Sequence, residues 1–239
     1  MKPLILVVIS FLLTAFPLWV VAGEPSWATP SNIKFENIKA SDRIIPLGFS
    51  KKGVFSYILQ QNSCRGSSGT NQKLSWIAID LVKDKVVEQA DFEMEPPNLS
   101  AEKVMQKYGK RIEDYNSKYG IVTAEFYKIA VSTVIKSKKD VLTIQTELVE
   151  IVEGEDSINP GYQKYHISLW SRKHGIKKLS EIKSIYKPLR FWGYLKSPFE
   201  ERIAVLFLSD FRGCEAFPQM RINIVGANLI RGFDVERGE

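Results

Sequence analysis

Histidine and cysteine are nearly missing from this chain, with two of each in 239 residues. That scarcity removes whole classes of chemistry. His166, His174, Cys64 and Cys214 show no metal-ligand spacing, so neither a metal nor a cofactor is expected. Cys-x-x-Cys, the usual thiol-redox motif, is absent. So are Gly-x-Ser-x-Gly, His-Glu-x-x-His and the glycine loops that cradle phosphates. Beyond residue 22 no apolar run is long enough to span a bilayer. What is missing favours a non-catalytic binding or scaffolding protein. The alternative is a hydrolase with a scattered site and His166 or His174 as its base.

What is present begins with an export signal. Met1-Lys2 is a short basic start, and Leu4 to Leu18 is almost unbroken apolar sequence. Val20-Val21-Ala22 then supplies the small-residue pattern at which a signal peptidase cuts. Residues 3–22 are long enough to act as an anchor instead, but Pro17 and the Val-Val-Ala ending favour cleavage after Ala22. A lipoprotein needs a cysteine at the cut, and the first cysteine is Cys64. The expected organisation is therefore a signal peptide at 1–22 and one domain at 23–239, working in the periplasm or at the cell surface.

Of the 33 Lys+Arg and 27 Asp+Glu, only Lys2 lies in the leader, so the exported part carries +5. That is modestly basic, which makes nucleic acid an improbable partner. Aromatics at 11% suit a packed core. In an oxidising compartment, Cys64 and Cys214 are expected to form one disulfide. Closing that loop would stabilise the fold by about 5 kcal/mol.

The exported part is mostly strand-like: mainly β, in antiparallel hairpins arranged as a sandwich or a partial propeller-like array. Val54 to Gln61, Leu74 to Val82 and Lys85 to Phe92 are rich in branched and aromatic residues, with a turn at Lys83-Asp84. Glu125 to Lys136 and Val141 to Val152 flank the polar turn 137–140 as a long hairpin, with Leu142, Ile144, Leu148 and Val152 on one face. Further strands are expected at 162–171, 176–186, 189–196, 202–209, 219–225 and 228–234. One amphipathic helix near 100–119, inside an insertion at 98–120, interrupts them. Ser100 caps it, Val104, Tyr108, Ile112, Tyr115 and Tyr119 form its stripe, and Gly120 stops it.

A weak repeat links the two ends of the domain. Gly48-Phe49-Ser50-Lys51-Lys52-Gly53 runs into Val54 to Ile58, and Gly193-Tyr194-Leu195-Lys196-Ser197-Pro198 runs into Arg202 to Leu206. Each copy leads to an Arg-Gly pair beside a cysteine, Cys64-Arg65-Gly66 and Arg212-Gly213-Cys214. A second strand and a turn follow in each, with Gly226-Ala227-Asn228 as the later turn. Leu47 to Phe55 resembles the opening of a propeller-type blade, with Ile77-Ala78-Ile79-Asp80-Leu81 as its partner strand. With Ser197-Pro198, Arg202-Ile203-Ala204-Val205 and Ile224-Val225-Gly226-Ala227, the chain is similar to a family of predicted secreted bacterial proteins of unknown function. The likeness covers about residues 42–92 and 190–234. It implies export and blade-like strand pairs, and brings no activity with it.

The strongest candidate surface lies between Lys164 and Arg202, where ten basic residues face Glu181, Glu200 and Glu201. Aromatics are interleaved, so this stretch is a candidate contact for anionic material, though a solvated basic face is the favoured reading. Trp170, Arg172, Lys173, Lys177, Lys178 and Trp192 are its chief residues. The plainer reading is a solvated face with aromatics inward and lysines outward. An envelope protein, an anionic glycan or a lipid surface would fit such a face. Glu147, Glu150, Glu153, Glu155 and Asp156 form an acidic patch whose spacing matches no calcium loop. Glu200-Glu201 are neighbours on an extended chain, where side chains point to opposite faces, so shared proton chemistry is not expected.

Overall fold

The computed structural model describes residues 42–64, 70–83, 85–92, 101–123, 129–138, 140–155, 160–212 and 218–234. The leader expected at 1–22 and the cap expected at Ser100 lie outside them. Strands β1 (Asp42–Ser50), β2 (Val54–Cys64), β3 (Thr70–Asp80) and β4 (Lys85–Phe92) precede helix α1 (Ala101–Tyr119). Then come β5 (Ile121–Thr123), β6 (Val134–Lys136), β7 (Val141–Val152), β8 (Tyr162–Ser171) and β9 (Gly175–Ser184). Strands β10 (Arg190–Lys196), β11 (Arg202–Arg212) and β12 (Pro218–Asn228) complete the fold. They form three antiparallel sheets, ordered β4-β3-β2-β1-β5, β10-β11-β12 and β6-β7-β8-β9. The chain is a mainly β domain with one helix.

The sheets stack in layers, and β11 explains why. Its run Ile203-Ala204-Val205-Leu206-Phe207-Leu208 is buried throughout. Ile203, Val205 and Phe207 pack toward the four-stranded sheet, with Leu142, Ile167 and Leu169. Ala204, Leu206 and Leu208 pack toward the five-stranded sheet, with Phe55, Tyr57, Ile77 and Ile79. An uninterrupted apolar strand has no solvent face to offer, so it must lie between two layers. The five-stranded sheet is apolar on its far side too, where Ile58, Leu74, Trp76 and Ala78 meet Val104, Tyr108 and Ile112 of α1. The order is helix, five strands, three strands, four strands.

The helix obeys its sequence stripe and adds one residue the stripe does not contain. Asn116 is buried, and its Oδ1 accepts hydrogen bonds from Ser56 Oγ and Trp76 Nε1, each at 3.0 Å. Trp76 also stacks on Tyr115, with ring centroids 5.0 Å apart. One amide thus satisfies two buried donors and sets how the helix sits on the sheet.

The weak repeat is a shared backbone feature. The β1–β2 ladder bulges between Pro46 and Gly48, and the β10–β11 ladder between Phe191 and Gly193. At each bulge a neighbouring strand crosses closely. Thr123 of β5 pairs with Gly48, and Ala130 exchanges hydrogen bonds of 3.0 and 2.9 Å with Tyr194. A Cβ on Gly48 would lie 2.3 Å from Val122 O, and one on Gly193 would lie 2.3 Å from Ile129 Cγ2. Residues 121–123 therefore meet the five-stranded sheet, and residues 129–130 the three-stranded one, at matching glycines.

Several expectations are corrected. The hairpin arm at 125–136 shrinks to β6, because Ala130 pairs with Tyr194 instead; residues 124–128 lie outside the described ones. Leu148 and Val152 are exposed, since β7 runs past the layer that would cover them. The strand expected at 219–225 runs on to Asn228 as β12, so Gly226-Ala227-Asn228 belongs to its ladder rather than to a turn, and the strand expected at 228–234 is reduced to a single bridge from Asp234 to Ile176. Asn228 makes the turn, its Oδ1 accepting from the Ile230 and Arg231 N–H groups. Strands β1 and β5 had no forecast. The expected Cys64–Cys214 disulfide is also corrected, because no disulfide bond is present among the described residues. The Cys64 backbone pairs with Thr70 at the end of the β2–β3 ladder. The Cys64 side chain and Cys214 themselves lie outside the described residues.

Two stability outcomes follow from these contacts. Asn116→Leu strands the Trp76 indole N–H and the Ser56 hydroxyl, and should lower unfolding stability by about 3 kcal/mol in urea titrations followed by tryptophan fluorescence. Gly193→Ala, at φ 153° and against Ile129 and Ala130, should cost about 1–3 kcal/mol in the same assay. Wild-type midpoints for both variants would refute these two roles.

Candidate functional site

Because the chain is built from short antiparallel hairpins, its tight turns gather at one end of the stack. Residues 51–53, 81–83, 137–140, 172–174 and 197–201 connect paired strands there, and 228–231 follow β12. Side chains tie these turns together across sheets. Lys196 Nζ reaches Lys136 O at 3.4 Å, and Lys177 Nζ donates to Asn228 O and Arg231 O at 3.0 and 2.9 Å.

Each turn uses one local device. A short polar side chain just before it accepts from main-chain N–H groups two to four residues on, a common way of closing turns. Ser50 accepts from Lys52 and Val54, and Asp80 from Val82 and Lys83. Ser137 accepts from Asp140, Ser171 from Lys173 and His174, and Ser197 from Phe199.

This device sorts the charges. Asp80, Asp140, Glu200 and Glu201, the carboxylates on or beside these hairpin turns, are all engaged. Asp80 closes its turn, while Asp140 accepts from Val141 N and from Ser171 Oγ. The Ser171 hydrogen bond is the main reason the Asp140 carboxyl sits below its ordinary range. Glu200 pairs with Arg202 at 2.8 Å and Glu201 with Lys196 at 3.3 Å. The cations on the turns are exposed, and Lys51, Lys52, Lys83, Lys138 and Arg172 enter no ion pair among the described residues. The result is a basic end with its counter-charges turned inward.

A cleft of about 300 Å³ opens at this end, lined by Glu200, Glu201, Arg202, Asn228, Ile230 and Arg231. Arg202 is mostly buried, and its Nε and Nη1 have no hydrogen-bond partner among the described residues. Its guanidinium lies against Gly53 of the β1–β2 turn, where a Cβ would fall 1.5 Å from Nη1.

The six residues forecast as the contact surface divide among several places. Arg172 and Lys173 stand on the β8–β9 turn, at the basic end. Lys177 is spent on the 228–231 turn and lies over the Phe233 ring. Lys178 is on the outer face of the four-stranded sheet, bonded to Glu181 at 2.8 Å. Trp170 is exposed near the turn end of β8, paired with Ile176. Trp192 packs between the five- and three-stranded sheets. The linear stretch is not one surface. Lys51, Lys52, Lys83, Lys138 and Arg231 escaped the sequence reading. For Lys51, Lys52 and Lys138 the signal was there, in the basic pairs Lys51-Lys52 and Lys138-Lys139 within polar turn sequences.

Neither histidine joins the cleft lining. His166 Nε2 lies 2.8 Å from Glu181 on the outer sheet face, and the His174 ring lies 5.8 Å from that of Phe233. Glu200 and Glu201 hold separate cations, so they are no carboxylate dyad. Among the described residues no group of three or more His, Cys, Asp or Glu is placed to hold a metal, and no helix is long and apolar enough to cross a membrane.

No family model matches this chain, and searches of curated proteins and of solved structures also gave no match. The resemblance to predicted secreted bacterial proteins therefore stands on its quoted residues alone.

Glu181 provides a pH test of the outer face. Hydrogen bonds from Lys178 and then Lys164 hold its carboxyl down at about 2. An ordinary glutamate titrates near about 4.3. Because the folded value is depressed, the stabilisation is present above about pH 4.3 and is lost as pH falls through about 2. The Tm difference between wild type and Glu181→Gln should therefore shrink over that interval. A difference that stays constant down to about pH 2 would contradict it.

Proposed function

We propose that this protein is an exported, non-catalytic binding or scaffolding protein of the bacterial envelope, holding anionic material at the basic turn end. The observation that carries the reading is the sorting of charge there. Carboxylates close turns or pair with Arg202 and Lys196, while Lys51, Lys52, Lys83, Lys138 and Arg172 face solvent. Cations mounted on tight, hydrogen-bonded turns give a fixed field that attracts polyanions and fades with added salt. The leader at 1–22 supports delivery across the inner membrane, and anionic lipid headgroups and acidic glycans are the anionic matter available there.

The test measures binding of the exported chain to anionic lipid vesicles and to an acidic glycan at low and high salt. Each cation near an anionic surface contributes about 1 kcal/mol, so Lys51→Ser, Lys52→Ser, Arg172→Ser and Lys173→Ser together should weaken binding by roughly a hundredfold or more. Lys178→Ser, on the outer sheet face, should leave it near wild type. Equal binding by the fourfold variant, or binding indifferent to salt, would remove this assignment.

A further inference from the structure

The four-stranded sheet has one edge that its own chain leaves unfinished. β6 pairs with β7 only over Val141–Thr143, followed by one bond from Ile144 N–H to Thr133 O at 2.8 Å. From Gln145 to Val152, β7 pairs with β8 on one side and, among the described residues, with no strand on the other. The chain that would have continued β6 leaves the sheet, and Ala130 bonds to Tyr194. Ile144 directs its N–H toward the β6 side, so by strand alternation Thr146 and Leu148 present their main-chain groups to the open edge.

Edge strands are ordinarily blunted by charge or by a bulge. This one has a bulge between Leu148 and Glu150, yet it also leaves Leu148, Val149, Ile151 and Val152 exposed, Ile151 at 63%. A merely solvated edge has no use for four adjacent apolar side chains, whereas a strand-adding edge needs them to grip the incoming residues. Charge selects the occupant. Glu147 and Glu150 flank the bulge, Glu153 and Glu155 follow the strand, and none is in an ion pair among the described residues. Pairing β7 with a second copy of itself would crowd these glutamates together, and like charges across a ladder are destabilising.

We propose that the open edge of β7 takes up an extended, basic segment of a partner protein as an added strand over Gln145–Val152, with lysine or arginine alternating with apolar residues. Main-chain hydrogen bonds supply affinity, and Glu147 and Glu150 supply selectivity. This edge is separate from the basic turn end and would attract the opposite charge, so either assignment can fail without the other.

The probes are two labelled decapeptides, one alternating valine with lysine and one alternating valine with glutamate, each added to the whole exported chain. Anisotropy reports binding, and residue-resolved hydrogen exchange reports where it occurs. The valine-lysine peptide should bind and slow exchange at Thr146 and Leu148. The valine-glutamate peptide should leave those amides unchanged. Glu147→Lys with Glu150→Lys, both exposed and outside the core, should weaken the first peptide at least tenfold and transfer protection of Thr146 and Leu148 to the second. Three results would overturn the proposal. They are slow exchange of these amides in the free protein, peptide-induced protection elsewhere only, and a wild-type dimer that buries β7.

Discussion

Everything in this architecture depends on β11 being apolar on both of its faces. A strand with one apolar face is satisfied by a single covering layer, and the other face can meet water. β11 has no such face across Ile203 to Leu208, so the three-stranded sheet becomes a middle layer and two further sheets must cover it. The five-stranded sheet is apolar on both sides as well, and the helix supplies its last cover. On the outermost face of the four-stranded sheet, Lys164 and Lys178 pair with Glu181, and His166 lies beside the same carboxylate. The layering thus ends where the apolar alternation ends.

Stacked sheets slide unless something sets their register. Here the register comes from close backbone approaches and from two buried polar side chains. Gly48 and Gly193 sit at matching bulges and admit close backbone neighbours, residues 121–123 at the first and 129–130 at the second. Arg202 lies across Gly53, joining the β10–β11 end to the β1–β2 turn, and Asn116 sets the helix against Ser56 and Trp76. Larger side chains at Gly48, Gly53 or Gly193 would push these layers apart, and close-packed interiors absorb little displacement.

The same hairpin economy sorts charge. Each turn needs an acceptor for its free N–H groups, and serine or aspartate provides it. Acidic groups are thereby drawn into the backbone, and the lysines of the same turns are left in water. Away from that end, the glutamates of β7 stand beside apolar residues that nothing in the described chain covers. A chain of modest net charge becomes a molecule with two oppositely charged surfaces, and electrostatic attraction depends on that local arrangement more than on the total.

Much of this was legible in the sequence wherever neighbours along the chain decide the outcome. The helix stripe, the Gly120 stop, the boundaries of β4 and β8 and the doubly apolar run of β11 all follow from periodicity and composition. The reading failed where a distant strand made the choice. Pro46 and Gly48 look like turn residues, yet β2 and β5 hold them in a bulged strand, and 129–133 alternates like a hairpin arm but is captured by Tyr194. The basic pairs were visible one by one as turn residues. Their convergence was not, because it depends on how three sheets stack. Sequence by itself determined the helix and most of the strands, the apolar run of β11 among them, since those follow from local periodicity and apolar area. Only the tertiary structure decided which turns meet, which lysines keep their charge in water and which edge of β7 stays open. Those outcomes belong to pairs of residues far apart in the chain, whose proximity no local pattern encodes.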